Sequence, residues 1–269
     1  MFLQNIFIIF FVIIILLILT LNKNDNFQNK ENIENDNLKK NLELIDLFDK
    51  KAIKFNKITK PEKKITKYQT FYDISVFPQL HNIDYKIIQN ELYDFLNNNN
   101  NYWQEWYEKD LWVNTDKKTS WKIIPLMAFG NFSKFYIDKF PKTYSILKNI
   151  NGLVSAGFSN LGPNTTLKLH KGWGDLSNNV LRCHLGLKVS KSDCKVFVIG
   201  SSCDMMIQKE GKWIIFDDSL YHSASNENNE KERIILLIDI KRPLHIYKGE
   251  SDVEKSPELL DFIKIFNEK

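Results

Sequence analysis

The sequence predicts an α+β protein, with helices first and an antiparallel β sandwich after them. Three observations carry this. "YKIIQNELYDFLNNN" places Ile87, Ile88, Leu92, Phe95 and Leu96 at helical spacing. "FPKTYSILKNI" reads as a second helix, with Pro141 near its start. From Leu153 the texture changes to short segments: "LVSAGFSNL", "TTLKLH", "VLRCHLGLKV", "CKVFVIG", "KWIIFDDS" and "RIILLIDIK". Several alternate apolar and polar residues, and Gly, Pro, Asn, Asp and Ser separate them, which is the pattern of a sandwich or barrel.

Ahead of the domain, Ile6 to Leu21 runs without charge or Pro, and Thr20 is its one polar residue. With Phe2 and Leu3 it approaches the ~20 residues that cross a bilayer. There is no basic leader and no small-residue cleavage site, so residues 1–22 read as an uncleaved transmembrane anchor rather than a signal peptide. Lys23, Lys30, Lys39 and Lys40 follow it, but interspersed acids leave the side of the membrane open. Residues 23–67 are rich in Asn, Lys, Asp and Glu and read as a polar tether, with the folded domain over 68–269. Between the two helices, Trp103, Trp106, Trp112 and Trp121 read as core and loop packing.

The 269 residues carry a net charge of +4, with Lys and Glu intermixed, so nothing marks a nucleic-acid partner. Cys183, Cys194 and Cys203 lack CxxC spacing. They are expected to be buried free thiols rather than a zinc site or a disulfide framework, although one disulfide remains open.

Two histidines fall at strand-to-loop junctions: His170 ends "LKLH", and His222 follows the turn "DDSLY". Such junctions cluster at the mouth of a sandwich, where two imidazoles can share a metal. The partner carboxylate usual for such a site would sit two residues after the first His, and that residue is Gly172. In "VLRCHLGL", alternation puts Arg182, His184 and Gly186 on one face and Cys183, Leu185 and Leu187 on the other. The apolar face belongs against core, and the other carries a cation and an imidazole into the sandwich. Arg233 opens an otherwise apolar strand, and a buried guanidinium needs an anion. The alternative is an edge Arg, solvated or paired with Glu230 or Glu232.

The pieces "FSNLGPNTTLKLHKGWGDLSNNVLRCHLGL", "CKVFVIG", "KWIIFDDSLYHSASN" and "ERIILLIDIKRP" together resemble the aspartyl/asparaginyl β-hydroxylase family of iron(II)- and 2-oxoglutarate-dependent oxygenases. The similarity runs from about Ser155 to Pro243, with a weaker extension back to Phe71. It implies a double-stranded β-helix (jelly-roll, cupin-like) core with N-terminal flanking helices. It implies that His170 and His222 bind Fe(II), with Gly172 matching the family's animal members and water filling the third site. Asp175 is the other carboxylate within reach. Arg233 and Ser159 match the clamp on the distal carboxylate of 2-oxoglutarate, and Arg182 with His184 the pair contacting its other end. The expected activity is hydroxylation of Asp or Asn in a protein or peptide substrate by a single-pass membrane enzyme. A lipid acyl-chain hydroxylase and an inactive binding module are the alternatives.

Overall fold

The computed structural model describes residues 55–61, 65–98, 102–114, 120–257, 259, 260 and 263. The expected anchor over 1–22 and most of the expected tether lie outside the described residues. Among the described residues, no helix is long and apolar enough to cross a membrane.

Eight strands form the core: β7 (Leu153–Leu161), β8 (Thr165–Leu167), β9 (Val180–Lys188), β10 (Cys194–Ile199), β11 (Cys203–Ile207), β12 (Trp213–Phe216), β13 (Tyr221–Asn226) and β14 (Arg233–Lys241). They divide between two sheets. One runs β12-β9-β14-β7, the other β11-β10-β13-β8. The chain therefore crosses from sheet to sheet at nearly every connection, which is the winding of a double-stranded β-helix. Every pair among these eight is antiparallel.

Earlier strands extend both sheets. They are β1 (Asn56–Lys57), β2 (Phe71–Tyr72), β3 (Gln104–Glu105), β4 (Trp112–Asn114), β5 (Trp121–Ala128) and β6 (Asn131–Phe132). The expected order, helices and then strands, is thus too simple. The Trp-rich stretch contains β5, which pairs along β7 and widens the larger sheet. The expected tether also ends too late, because Asn56 and Lys57 pair in parallel with Asp204 and Met205 of β11.

The larger sheet has two unlike faces. Its outer face carries Phe158, Leu181, Cys183, Leu185, Leu187, Leu236 and Ile238, all buried beneath the helices. Helix α1 (Tyr85–Asn98) covers it with Ile88, Leu92 and Phe95, while Ile87, expected on that stripe, is 41% exposed. The short α2 (Lys134–Ile137) and α3 (Pro141–Leu147) complete the layer. Phe140 joins the two layers, with ring centroids 4.6 Å from Phe95 and 5.0 Å from Phe158. Each such ring contributes about 1.5–3 kcal/mol by burial.

Glu91 fastens α1 to α3. Its buried carboxylate accepts from the N–H groups of Lys142 and Thr143, both at 2.7 Å, and from the Thr143 hydroxyl at 2.6 Å. These are donors that the first turn of a helix leaves without intrahelical partners, and a negative charge is favoured there. The inner face of the larger sheet looks across Leu161, Val196, Val198, Ile214, Phe216 and Ala224 to the smaller one. The three cysteines are buried thiols with no disulfide among them.

Candidate active site

His170 follows β8 and His222 is the second residue of β13, so the smaller sheet brings them side by side. Each donates its backbone N–H to the other's carbonyl, at 3.0 and 2.8 Å. Their ring centroids are 4.2 Å apart. The Nδ1 atoms lie 2.7 Å from the Lys168 carbonyl and 2.9 Å from the Leu220 carbonyl. A carbonyl only accepts, so both Nδ1 atoms carry the proton and both Nε2 atoms keep a free lone pair, the tautomer of a metal ligand. Burial lowers both imidazoles to about 3, and for His170 the adjacent His222 adds to it. They are neutral at physiological pH.

A carboxylate stands beside them, but it comes from Asp218. A Cβ built on Gly172 would lie 1.9 Å from Asp218 Oδ2. The Asp218 side chain thus fills the space into which a side chain at position 172 would project. The Gly172 N–H donates to the Asp218 carbonyl at 2.8 Å. Asp218 Oδ1 is 3.2 Å from His222 Nε2. Asp175, in the short helix α4 (Gly174–Ser177), points elsewhere: it is largely exposed and paired with Lys255. Among the described residues, no three or more His, Cys, Asp or Glu side chains group as a metal site. The candidate centre is two imidazoles with Asp218 alongside.

Arg182, expected at the cosubstrate, stands between two acids. Its Nε and Nη2 donate to Asp239 at 2.9 and 3.1 Å, and its Nη1 lies 2.5 Å from Asp218 Oδ1 without hydrogen-bond alignment. Its charge is shared between two buried acids. Burial pushes both carboxyls up, against the pull of Arg182. Two carboxylates face one guanidinium here, and the neutral imidazoles add no charge. That balance suits a bound cation.

Arg233 is 2% exposed and, among the described residues, has no carboxylate partner. Its Nη2 donates to His184 Nδ1 at 3.2 Å, which leaves the His184 proton on Nε2. Arg233 Nε and His184 Nε2 are then both buried donors without acceptors. Burial without a counter-charge lowers Arg233 to about 10, still charged at neutral pH. Burial, with Arg233 next, holds His184 well below the usual imidazole range. A cluster lacking only acceptors fits an anion, since unpaired buried donors each cost about 1–3 kcal/mol.

Ser159 lies on the same inner face, one strand over, because Ser159 pairs with Ile235 and Leu161 with Arg233. Its hydroxyl accepts from Trp121 Nε1 at 2.9 Å. Phe216 connects the two halves of the site, its ring centroid 5.3 Å from His222 and 5.0 Å from His184. Asp218, Phe216 and Trp121 were not singled out from the sequence as site residues. For Asp218 the one signal is its position four residues before His222, in the turn that leads to it.

Several known proteins are similar to this chain. It is 36% identical over 137 residues to the ornithine lipid ester-linked acyl 2-hydroxylase of Rhizobium tropici, covering 49% of this chain and 47% of that protein. It is 31% identical over 139 residues to human aspartate beta-hydroxylase domain-containing protein 2, covering 49% and 36%. Human aspartyl/asparaginyl beta-hydroxylase is 28% identical over 135 residues, covering 48% and 17%. The matched span is thus less than half the length of these relatives. Among solved structures, a Pseudomonas putida prolyl-4-hydroxylase superposes with a TM-score of 0.40 at 12% identity, covering 63% of this chain and 98% of that one. The model of one family, aspartyl/asparaginyl beta-hydroxylase, matches residues 82–243 and so takes in β7–β14 with both histidines, Asp218 and Arg233. The chain belongs to the aspartyl/asparaginyl β-hydroxylase family.

Proposed function

We propose that the protein is an iron(II)/2-oxoglutarate hydroxylase. In this reading His170 and His222 bind the iron, and Arg233, His184 and Ser159 receive the cosubstrate. The observation that carries it is the pair of buried, unanswered donors on Arg233 and His184, within one ring of two imidazoles in metal-binding tautomers. When bound, iron and 2-oxoglutarate supply an oxidant able to hydroxylate an unactivated C–H bond. The chain's own part is to hold and to exclude. The Lys168 and Leu220 carbonyls fix the imidazole rings. Arg233 offers a planar fork suited to a carboxylate. Ser159 adds a hydroxyl, and Phe216 and Trp121 wall the site with apolar surface.

For the substrate we favour the acyl chain of a lipid. The relative with 36% identity is named for that activity. The run Ile6–Leu21 is apolar enough to hold the domain at a bilayer. Hydroxylation of Asp or Asn in a protein is the second reading, favoured by the name of the 28% relative.

The test is succinate formation from 2-oxoglutarate by the full chain with iron(II), with and without a lipid extract or an Asp/Asn-containing peptide. Iron-dependent succinate that rises with lipid supports the reading. A rise with peptide alone would move the substrate to the second reading. Failure to bind metal anaerobically would overturn the oxygenase reading itself.

A further inference from the structure

The segment after β14 lies against both stretches that carry the metal-site histidines. Arg242 begins it. Its side chain is 5% exposed and forks onto the Asp217 carboxylate, with Nη1 donating to Oδ2 at 2.7 Å and Nη2 donating to Oδ1. Nη2 also donates to the Ser177 carbonyl at 2.9 Å. One guanidinium thus ties the turn before His222 to the helix after His170.

Seven residues on, the segment touches the same two places again. The Gly249 N–H donates to the Asn178 carbonyl at 3.0 Å, and a Cβ on Gly249 would lie 2.4 Å from Ser219 Oγ. Ser251 then exchanges hydrogen bonds with the Asn178 side chain, at 2.6 and 2.9 Å. Its hydroxyl donates to the Gly172 carbonyl at 2.6 Å. The Gly174 N–H donates to the Val253 carbonyl at 2.8 Å. Buried Ile246 pins the middle of the segment to the core beneath the larger sheet.

These contacts matter because no strand ladder runs through the two loops they hold. Asp217–Ser219 and Lys171–Trp173 are not strand residues. Between them run the His170–His222 backbone pair and the Gly172-to-Asp218 hydrogen bond. A two-imidazole site has no third protein ligand to hold its shape; β13 holds His222 in the sheet, while the turn that carries Asp218 is also held from outside. We infer that residues 242–253 act as a clasp that sets the metal affinity of the site, with Arg242 and Ser251 as its positioning residues. This rests on the reading of His170 and His222 as metal ligands.

The experiment is an anaerobic titration of full-length protein with Mn(II) alone, following free Mn(II) by electron paramagnetic resonance. A melting curve establishes that each variant is folded. Residues that orient metal ligands from outside typically change metal affinity ~10–100-fold. Arg242→Ala is expected to weaken Mn(II) binding by at least ~10-fold on that scale. Arg242→Lys should recover only part of it, because an ammonium cannot fork onto Asp217. Ser251→Ala should weaken binding in the same direction. Leu244→Ala, on a fully exposed side chain of the same segment, should leave it unchanged.

A purely structural segment would lower the melting temperature and leave the affinity of folded protein as it was. Folded Arg242→Ala with wild-type affinity therefore overturns the inference. Should Arg242→Ala fail to fold, Ser251→Ala decides, and unchanged affinity there overturns it equally. Wild-type protein that binds no Mn(II) would instead sink the metal-site reading beneath it.

Discussion

The Asp218 carboxylate occupies the space that a side chain on Gly172 would need, with a built Cβ only 1.9 Å from Oδ2. The two positions are alternatives: a side chain at 172 and an inward Asp218 cannot coexist. Gly172→Ala should therefore cost about 1–3 kcal/mol, the usual range for overpacking. The part owed to Asp218 should vanish when the same change is made in Asp218→Ala, while the approach to the Ser177 Cβ at 2.9 Å remains. Urea unfolding of the four proteins gives the coupling energy. An equal cost of Gly172→Ala in both backgrounds would show that the collision is relieved some other way.

Asp175 is paired with Lys255 at the surface. Asp175→Ala should leave Mn(II) affinity within a few-fold of wild type, whereas His170→Ala should abolish binding. Asp218→Ala is expected to fall between them, because it removes charge and orientation but leaves both imidazoles. Metal titration ranks the three, and a loss in Asp175→Ala equal to that in His170→Ala would reverse the assignment.

Arg233 is expected to answer to 2-oxoglutarate and not to metal. Removing one member of a buried charged pair costs about 2–5 kcal/mol, so Arg233→Ala should raise the apparent Michaelis constant for 2-oxoglutarate at least ~10-fold. Arg233→Lys keeps the charge without the fork and should fall between. Steady-state succinate assays supply the constants, with Mn(II) affinity as the control. A 2-oxoglutarate dependence unmoved by Arg233→Ala would send the search for the clamp elsewhere.

Metal-free protein should lose stability as pH falls from the ordinary imidazole value of 6.5 toward about 3. His170 and His222 stay neutral in the fold through that window, while the unfolded chain takes up protons. The unfolded state then binds more protons, and stability rises with pH, by up to ~1.4 kcal/mol per pH unit for each imidazole. Asp218 and Asp239 oppose this, because their raised carboxyls favour the fold at low pH and lose that effect as pH rises through their folded values. Urea midpoints across the window should show the net slope, and His222→Gln should flatten it. An unchanged slope would mean that His222 is not held neutral.

Glu91 gives a prediction remote from the site. Glu91→Ala strands the N–H groups of Lys142 and Thr143 at the start of α3. It should cost about 1.5–3 kcal/mol, as expected for hydrogen bonds to a charged group. Thermal unfolding measures it, and a change below ~0.5 kcal/mol would show that water replaces the carboxylate.

The sequence by itself determined the β-rich half of the protein. Alternation in "VLRCHLGL" assigned Arg182, His184 and Gly186 to the sandwich interior and Cys183, Leu185 and Leu187 to a face against core, and the sheet has the two sets on opposite faces, the apolar one beneath the helices. A side-chain period of two leaves no other choice once one face is apolar. Arg233 was legible because a cation inside an apolar strand demands an anion. β13, "YHSASN", was not legible as a strand, since it is buried through polar residues whose partners lie on other strands. β5 was hidden because Trp121, its first residue, reads equally well as loop packing.

Tertiary structure alone decided which charges meet. Arg182 and Arg233 look alike in sequence, each on a strand that points it inward. Only the folded protein hands Asp239 and Asp218 to the first and, among the described residues, no acid to the second. Asp218 likewise reads as an ordinary turn residue until the chain crosses from one sheet to the other and sets it against Gly172. Periodicity records which face a residue takes, but not which distant residue will share that face. Charge pairing inside a protein depends on the second.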